Sequence, residues 1–325
     1  MNNSAGIIAV SFAAAVCVLL SAAVAFGGPS TPPPMSSINA PFKAVDFSSM
    51  PVLESYQAAD GATLYFRRYE PAGAVAIGSA VLIHGSSASS NSLHPMAKAL
   101  AASGLRAYAL DVRGHGASGQ RGQIAFVGEL ESDLQAFVNA VRPQFPSTLV
   151  GFSAGGGFAL RVAASAMQSE FQSYLLLSPF LGREAANQRP NSGGWVSVGI
   201  PRVVGLLALN AVGVSAFNWL PVTRFALSDE AKQFLTPEYG FNLAMNFSPH
   251  QDFVGDIRAA NGKVAVLAGS ADEAFYTDKL ESVVRAAGKQ WPVKLLTGIG
   301  HIPLTLEPMA LDAIVKQVSL LQHEV

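Results

Sequence analysis

Apolar runs alternate with amphipathic segments along most of residues 51–325. Predominantly apolar runs, typical of buried strands, occupy residues 75–83, 106–110, 148–152, 174–177, 264–269 and 293–296. The pattern predicts helices over residues 96–102, 126–141 and 304–321, the second with Phe126 on its buried face. Segments 53–58 and 62–69 flank an Asp-Gly pair and predict an opening hairpin. Strands that alternate with helices predict an α/β fold, a mostly parallel sheet flanked by helices.

The third parallel strand leads into the pentapeptide Gly-Phe-Ser-Ala-Gly at residues 151–155, which further small residues follow. A Gly-x-Ser-x-Gly sequence between a strand and a helix is typical of a nucleophile elbow, a turn so tight that the serine backbone is strained. Glycine on both sides tolerates the close approach of neighbouring backbone. The motif therefore predicts that Ser153 is a nucleophile, and that an acidic residue and then a histidine follow it along the chain.

An acid and a histidine occur where the motif requires them. Asp272 comes just after the strand over residues 264–269, and His301 comes just after the last strand. The chain order Ser153, Asp272, His301 is the order that such an elbow predicts. The adjacent carboxylate, Glu273, remains an alternative to Asp272 as the acid.

These residues support attack of a serine on an ester carbonyl. A serine hydroxyl is a poor nucleophile until a base accepts its proton, and an imidazole such as that of His301 can take the proton and return it to the leaving group. Asp272 would orient the imidazole and stabilise its protonated form. We expect the oxyanion donors to be the backbone N–H groups of Ala154 and Ser86, so that a side-chain change at Ser86 is nearly silent. His84 is expected to shape the loop that carries Ser86.

A long interval without a clear strand follows the fourth parallel strand. It exceeds ordinary loop lengths and predicts a helical cap inserted at about residues 179–250. Residues 203–220 carry no charge and approach the roughly 20 residues that span a bilayer. A crossing there would separate Ser153 from the other two residues of the triad. We therefore expect a cap segment, either packed on the body or facing lipid.

The N-terminal segment is uncharged from residue 5 to residue 28, and residues 7–26 are long enough to cross a bilayer. A cleaved signal peptide is supported by the small-x-small sequence at residues 23–25. The absence of Lys and Arg from residues 1–4, together with the length of the apolar run, favours a retained anchor instead. Both interpretations predict that the protein is membrane-anchored or exported.

These patterns divide the chain into three parts. Residues 1–28 form the signal peptide or membrane anchor. Residues 29–50 are rich in Pro and Ser and predict an extended spacer between a membrane and the body. Residues 51–325 form the catalytic body with its cap.

Charge and composition argue against several classes of site. The formal net charge is −1, whereas nucleic-acid binding needs a basic face. The single cysteine, Cys17, lies in the apolar N-terminal segment, which argues against a catalytic or metal role. No His-Glu-x-x-His sequence or cysteine pair indicates a metal site. Residues 114–119 match the Gly-x-Gly-x-x-Gly dinucleotide fingerprint, but the next residues continue a loop instead of opening a helix, so we expect no cofactor.

Three segments taken together resemble the α/β-hydrolase superfamily. They are Asp-Val-Arg-Gly-His-Gly-Ala-Ser at residues 111–118, His-Gly at residues 84–85 and Gly-Phe-Ser-Ala-Gly-Gly at residues 151–156. The resemblance covers about residues 53–321 and is closest to the monoacylglycerol lipase and lysophospholipase-like serine hydrolases. It implies that the predicted triad is catalytic, that no cofactor is needed, that the cap gates the site and that the Arg-Gly-His-Gly segment at residues 113–116 forms a turn beneath the pocket.

The sequence leaves three interpretations of function. The leading one is a serine hydrolase that cleaves carboxylic esters of apolar acyl chains, such as monoglycerides or lysolipids, through an acyl-enzyme, with a membrane surface as a further partner. The same fold and nucleophile also serve peptidases, acyltransferases and hydrolases of carbon–carbon bonds. The third is a membrane-tethered, non-catalytic binding protein on the same scaffold.

Overall fold

An eight-stranded sheet forms the centre of the fold. The structure, a computed structural model, describes residues 14–15, 17–71, 73 and 75–323. The strands within these residues are β1 (Leu53–Gln57), β2 (Thr63–Tyr69), β3 (Ser79–Ile83), β4 (Arg106–Leu110), β5 (Ser147–Phe152), β6 (Ser173–Leu177), β7 (Val196–Val198), β8 (Pro221–Phe225), β9 (Glu238–Gly240), β10 (Lys263–Gly269) and β11 (Val293–Leu296). After an N-terminal helix over residues 17–26, the helices are α1 (Ser36–Asn39), α2 (His94–Ala102), α3 (Glu129–Val141), α4 (Ala154–Ala163), α5 (Ile200–Ala211), α6 (Phe241–Asn246), α7 (Phe253–Ala259), α8 (Leu280–Ala286) and α9 (Pro308–His323).

The strands of the main sheet lie in the order β1-β2-β4-β3-β5-β6-β10-β11. The hairpin of β1 and β2 is antiparallel, as is the pair of β2 and β4, and every pair from β4 to β11 is parallel. A crossover that contains a helix joins each parallel strand to the next along the chain, because parallel neighbours cannot be joined by a tight turn. The alternating pattern of the sequence therefore predicts the class of the sheet correctly.

The core lies on both faces of this sheet. Every side chain of β3, β5 and β6 is buried, because helices cover both faces of a parallel sheet. At the antiparallel edge, the Phe137 ring of α3 meets the rings of Tyr56, Phe66 and Tyr108 edge to face, with centroids 5.5, 5.2 and 5.6 Å away. Edge-to-face contact is favourable for aromatic pairs, so these rings fix α3 against β1, β2 and β4.

Two predicted elements are shorter than the apolar pattern indicates. β3 begins at Ser79 and not at residue 75, and both Val75 and Ile77 are exposed. α3 begins at Glu129, because Gly128 has φ 111°, which a helix cannot contain. Phe126, placed by the sequence on the buried face of that helix, lies before it and is 53 % exposed.

The cap lies between β6 and α7 and is not purely helical. Strands β7, β8 and β9 form a separate three-stranded antiparallel sheet, and α5 and α6 accompany it. The apolar stretch over residues 203–220 is not one helix, because α5 ends at Ala211, a turn with Gly213 at φ 82° follows, and β8 begins at Pro221. Val204 and Leu207 of α5 are exposed.

Residues 17–26 are helical and pack against α5. Val24 of this N-terminal helix belongs to a small apolar cluster with Leu206, Val222 and Phe241. A Cβ on Gly205 would lie 2.8 Å from Cγ2 of Val24, so the absence of a side chain at Gly205 lets the two helices touch. Within the described residues, no helix is both long and apolar enough to cross a membrane. Residues 7–13 and residue 16 of the predicted span lie outside the described part of the chain.

The segment predicted as an extended spacer folds against the body. It contains α1 and a 3₁₀ turn over Pro41–Ala44. The Met35 N–H donates a hydrogen bond of 2.9 Å to the carbonyl of Ala226, and Ile38 is buried in the main core. The Pro/Ser-rich composition hides this role, because scattered apolar residues such as Ile38 give no periodic signal.

Candidate active site

The serine of the pentapeptide lies in a strained turn between β5 and α4. Ser153 has φ 55° and ψ −117°, a conformation that residues with a side chain rarely adopt. A Cβ on Gly151 would lie 2.1 Å from the carbonyl oxygen of Gly155, and a Cβ on Gly155 would lie 2.4 Å from that of His84. Both positions therefore require glycine, and the turn has the form of a nucleophile elbow.

The structure brings the three predicted residues together in one hydrogen-bonded chain. His301 Nε2 lies 3.0 Å from the Ser153 hydroxyl oxygen, and His301 Nδ1 lies 2.8 Å from Oδ2 of Asp272. The three residues follow β5, β10 and β11, whose carboxyl ends share one edge of the parallel sheet. All three side chains are buried, so little water competes for these hydrogen bonds.

Asp272, and not Glu273, faces the imidazole. The other carboxylate oxygen of Asp272 accepts hydrogen bonds from the N–H groups of Ala274 and Phe275 at 2.8 and 2.9 Å. Burial raises the pKa of Asp272, but the electrostatic interaction with His301 and the hydrogen bonds from His301 and Phe275 outweigh this effect and hold the pKa below its ordinary value. The carboxylate thus stays ionised. Glu273 instead accepts the backbone N–H of His301 at 2.9 Å and so anchors the histidine loop.

Two aromatic rings enclose the imidazole. The centroid of the Phe152 ring lies 4.7 Å from that of His301, and the Phe275 ring meets it edge-on at 5.2 Å. Only 4 % of His301 remains exposed. The rings restrict the rotation of the imidazole and exclude water from it, which favours the geometry needed for proton transfer.

The predicted oxyanion donors lie beside the serine. A Cβ on Gly85 would lie 3.3 Å from the Cβ of Ser153, so the loop of residues 84–86 packs directly on the elbow. The Ala154 N–H is the first of α4, where helical N–H groups have no partner within the helix. In the part of the chain that the structure describes, neither the Ala154 N–H nor the Ser86 N–H donates to another protein group. Both remain free for an oxyanion.

A buried polar chain that the sequence does not reveal holds the oxyanion loop. The Ser87 N–H donates to the Tyr239 hydroxyl at 2.6 Å, and that hydroxyl lies 2.6 Å from Nε2 of His115. Since the Tyr239 hydroxyl accepts a hydrogen bond from Ser87, it donates its own proton to His115. Burial lowers the pKa of His115 far below the ordinary value, so the imidazole is neutral and can accept this hydrogen bond. Tyr239 is 152 residues from Ser87 along the chain. The only sequence signal is that Tyr239 belongs to the inserted cap.

His84 shapes the same loop, as expected. Its Nδ1 lies 2.7 Å from the carbonyl of Gly85, and its Nε2 lies 3.3 Å from the N–H of Val112. Because Nε2 accepts, Nδ1 carries the proton and donates. Burial lowers the pKa of His84, so the ring is neutral and acts as a rigid link between the loop and the segment after β4.

Ser153 and His301 open into a cavity of about 530 Å³. Its size lies within the ordinary range of small-molecule sites, roughly 300–1,000 Å³. Large apolar side chains of the body and the cap form much of its wall: Leu93, Phe152, Trp195, Phe234, Leu235 and Ile302. The serine hydroxyl therefore faces a space suited to an apolar group.

The Gly-x-Gly-x-x-Gly segment forms a turn and not the start of a helix. The Gly114 N–H donates to the carbonyl of Ser118 at 2.7 Å. A Cβ on Gly116 would lie 2.3 Å from a carboxylate oxygen of Asp111, and that carboxylate accepts the N–H groups of Ser90 and Ala117 at 2.7 and 2.9 Å. The glycines thus serve a tight turn beneath the site. Within the described residues, no group of three or more His, Cys, Asp or Glu could hold a metal ion.

The chain is similar to known hydrolases. The family described as serine aminopeptidase, S33, matches residues 75–222. A monoacylglycerol lipase of Mycolicibacterium smegmatis (strain ATCC 700084 / mc(2)155) is 32 % identical over 135 residues, which are 40 % of this chain and 46 % of the lipase. The match thus spans less than half the length of that relative.

Solved structures share the fold over most of the chain. A soluble variant of monoglyceride lipase from Saccharomyces cerevisiae has a TM-score of 0.64 at 16 % identity, covering 86 % of this chain and 97 % of its own. A putative aryl esterase from Burkholderia cenocepacia has a TM-score of 0.60 at 17 % identity, covering 84 % and 100 %. At these identities the likeness concerns the fold. Together with the sheet order and the elbow, it shows that the chain has the α/β-hydrolase fold.

Proposed function

We propose that the protein is a serine hydrolase that cleaves carboxylic esters of apolar acyl chains through an acyl-enzyme. The observation that carries the proposal is the chain Ser153–His301–Asp272, with distances of 3.0 and 2.8 Å, at the wall of an apolar cavity. The similarity to a monoacylglycerol lipase over part of the chain supports the same reaction class.

The proposed reaction begins with Ser153. Its oxygen attacks the ester carbonyl while Nε2 of His301 takes the hydroxyl proton, and the ionised Asp272 stabilises the imidazolium. The N–H groups of Ser86 and Ala154 donate to the oxyanion of the tetrahedral intermediate. The carbon–oxygen bond to the alcohol then breaks, and His301 returns the proton to the departing alkoxide.

Deacylation repeats these steps with water. His301 takes a proton from a water molecule, the hydroxide attacks the acyl carbonyl, and the carboxylic acid leaves as the proton returns to the oxygen of Ser153. No cofactor or metal enters either half-reaction. The aromatic rings of Phe152 and Phe275 flank the imidazole and limit the access of bulk water to it.

The apolar cavity supports an acyl chain as the group bound next to Ser153. Monoglycerides and lysolipids are the proposed substrate class, because each joins one acyl chain to a polar alcohol. Such a substrate would place its chain against the apolar wall and its polar end towards solvent. Burial of each methylene is worth about 0.8 kcal/mol, so chain length strongly influences binding.

We further propose that the protein is membrane-anchored or exported, with the N-terminal helix retained. Two observations support retention. Val24 packs in a cluster with the cap, and the guanidinium of Arg202 donates to the carbonyls of Val24 and Ala25 at 2.8 and 2.9 Å. Cleavage near residue 25 would remove both sets of contacts.

Hydrolysis of p-nitrophenyl esters by the wild type and by Ser153→Ala tests the proposed function. We expect Ser153→Ala to abolish both hydrolysis and labelling by a fluorophosphonate. Ser282→Ala, an exposed serine on α8, is the matched control and should retain wild-type activity. Equal activity of Ser153→Ala and wild type would overturn the proposal. Faster turnover of a p-nitroanilide than of the matching ester would favour a peptidase, and absence of labelling would favour a binding protein.

A further inference from the structure

The segment of residues 35–47, here called the strap, forms one wall of the cavity at Ser153. Ile38, Phe42 and Phe47 of the strap line the same cavity as Ser153 and His301. The strap precedes β1 and belongs neither to the main sheet nor to the cap. The N-terminal segment therefore contributes side chains to the space next to the proposed nucleophile.

The strap is held in place by specific contacts. The Met35 N–H donates to the carbonyl of Ala226, which follows β8 of the cap. Ile38 is 6 % exposed and belongs to the main core, and Phe42 packs against that core. The Phe47 ring lies 6.0 Å from the ring of His94 at the start of α2. Contacts at both ends of the strap fix its position over the cavity.

The cap forms another part of the wall, with Trp195, Phe234 and Leu235 lining the same space. The exposed side chains of Lys43 on the strap and Glu230 on the cap also line the cavity. Because both are exposed, they mark the side that opens to solvent. The cavity thus has a largely apolar lining, charged residues at its mouth and a nucleophile in its wall, a combination that suits an apolar acyl group with a polar end.

We propose that the strap is part of the acyl-binding site and that Ile38 and Phe42 determine which acyl-chain lengths the enzyme accepts. This proposal rests on the proposed esterase function. The side chain of Phe42 contacts the methylenes of a long chain, whereas an acetyl group, attached at Ser153, does not extend far enough to need it. The side chain of Ile38 limits the width of the space.

Chain-length profiles of Phe42→Ala test the proposal. We expect kcat/KM for p-nitrophenyl decanoate to fall on the order of tenfold, because the variant loses contact with about two methylenes of the acyl chain. We expect kcat/KM for p-nitrophenyl acetate to stay within about twofold of wild type. Ser37→Ala, an exposed neighbour on α1, is the matched control and should leave both values unchanged. Equal losses for the two esters, or no loss for either, would overturn the role of the strap.

A second variant makes the opposite change. Ile38→Phe adds volume to the wall, so we expect it to lower kcat/KM for the decanoate more than for the acetate. Fluorophosphonate labelling of Ser153 reports in each variant whether the active site is folded, and only labelled protein is compared. If wild type hydrolyses neither ester, the proposed function fails. If wild type hydrolyses both and the variants keep its profile, only the strap proposal fails.

Discussion

The indole N–H of Trp195 donates a hydrogen bond of 3.0 Å to the hydroxyl oxygen of Ser86. Trp195 immediately precedes β7 of the cap, and its ring stacks on that of Phe225 with centroids 5.4 Å apart. Ser86 lies on the loop whose N–H is the proposed oxyanion donor. One hydrogen bond therefore joins the cap to the loop that carries the proposed catalytic donor. Because the Ser86 side chain has this contact, we no longer expect a change of that side chain to be nearly silent, as the sequence alone indicated.

Loss of this hydrogen bond should slow catalysis moderately. Trp195→Phe retains an aromatic ring for stacking but removes the donor, and Ser86→Ala removes the acceptor while leaving the backbone N–H. We expect each to lower kcat about fivefold, which corresponds to about 1 kcal/mol for one hydrogen bond. Because both changes break the same bond, the double variant should be no slower than the slower single variant. Additive losses in steady-state kinetics would contradict the coupling.

Removal of the charge should lower kcat much more at Asp272 than at Glu273. Asp272→Asn places an amide against His301 Nδ1 and disfavours the tautomer that accepts the serine proton, so we expect kcat to fall on the order of 10⁴-fold. Glu273→Gln keeps an oxygen for the backbone N–H of His301, and we expect a loss of less than about tenfold. Kinetics with p-nitrophenyl butyrate compare the two. A larger loss for Glu273→Gln would make Glu273 the acid.

The lowered pKa of Asp272 also predicts a pH dependence of stability. Between its folded-state pKa and the ordinary value of about 4, the unfolded chain binds more protons, so the free energy of unfolding rises with pH there. The contribution is complete above this range and is lost as the pH falls through the folded-state pKa. Urea unfolding at pH 3, 4, 5 and 7 should show a steeper rise for wild type than for Asp272→Asn.

The control for that measurement is Asp312→Asn, an exposed aspartate on α9. Its unfolding free energy should rise with pH as the wild type does. If Asp272→Asn also keeps the wild-type slope, the carboxylate of Asp272 is not stabilised in the folded state, and the electrostatic account of the triad is wrong.

The sequence predicts those features of the fold and of the site that depend on local residue patterns and on the order of the strands along the chain. The glycines around Ser153 identify the elbow, and the position of Asp272 and His301 after parallel strands implies that they meet, because such strand ends share one edge. The strands at the centre of the parallel sheet, β3, β5 and β6, are predominantly apolar, as burial on both faces demands. These features need no knowledge of the cap or of the N-terminal segment.

The remaining features depend on contacts between distant segments. Trp195 meets Ser86 across 109 residues and Tyr239 meets Ser87 across 152, and neither contact leaves a local signature. The sequence does not predict that the strap packs on the body, because its few apolar side chains lie in a Pro/Ser-rich segment. For Phe126 the sequence predicts a contact that the structure lacks. Its spacing fits the buried face of the helix, but the conformation of Gly128 makes the helix begin only at Glu129, after Phe126.

Arg202 should control how firmly the N-terminal helix is held. Its guanidinium donates to the carbonyls of Val24, Ala25 and Pro221 at 2.8 to 2.9 Å, and a cation is favoured at a helix C-terminus. We expect Arg202→Gln to speed proteinase K cleavage between the N-terminal helix and the strap on the order of tenfold, since at least one charge-assisted hydrogen bond is lost. Mass spectrometry of full-length protein in detergent locates the cut. Arg258→Gln, exposed on α7, is the control, and equal cleavage of both variants would mean that Arg202 does not anchor the helix.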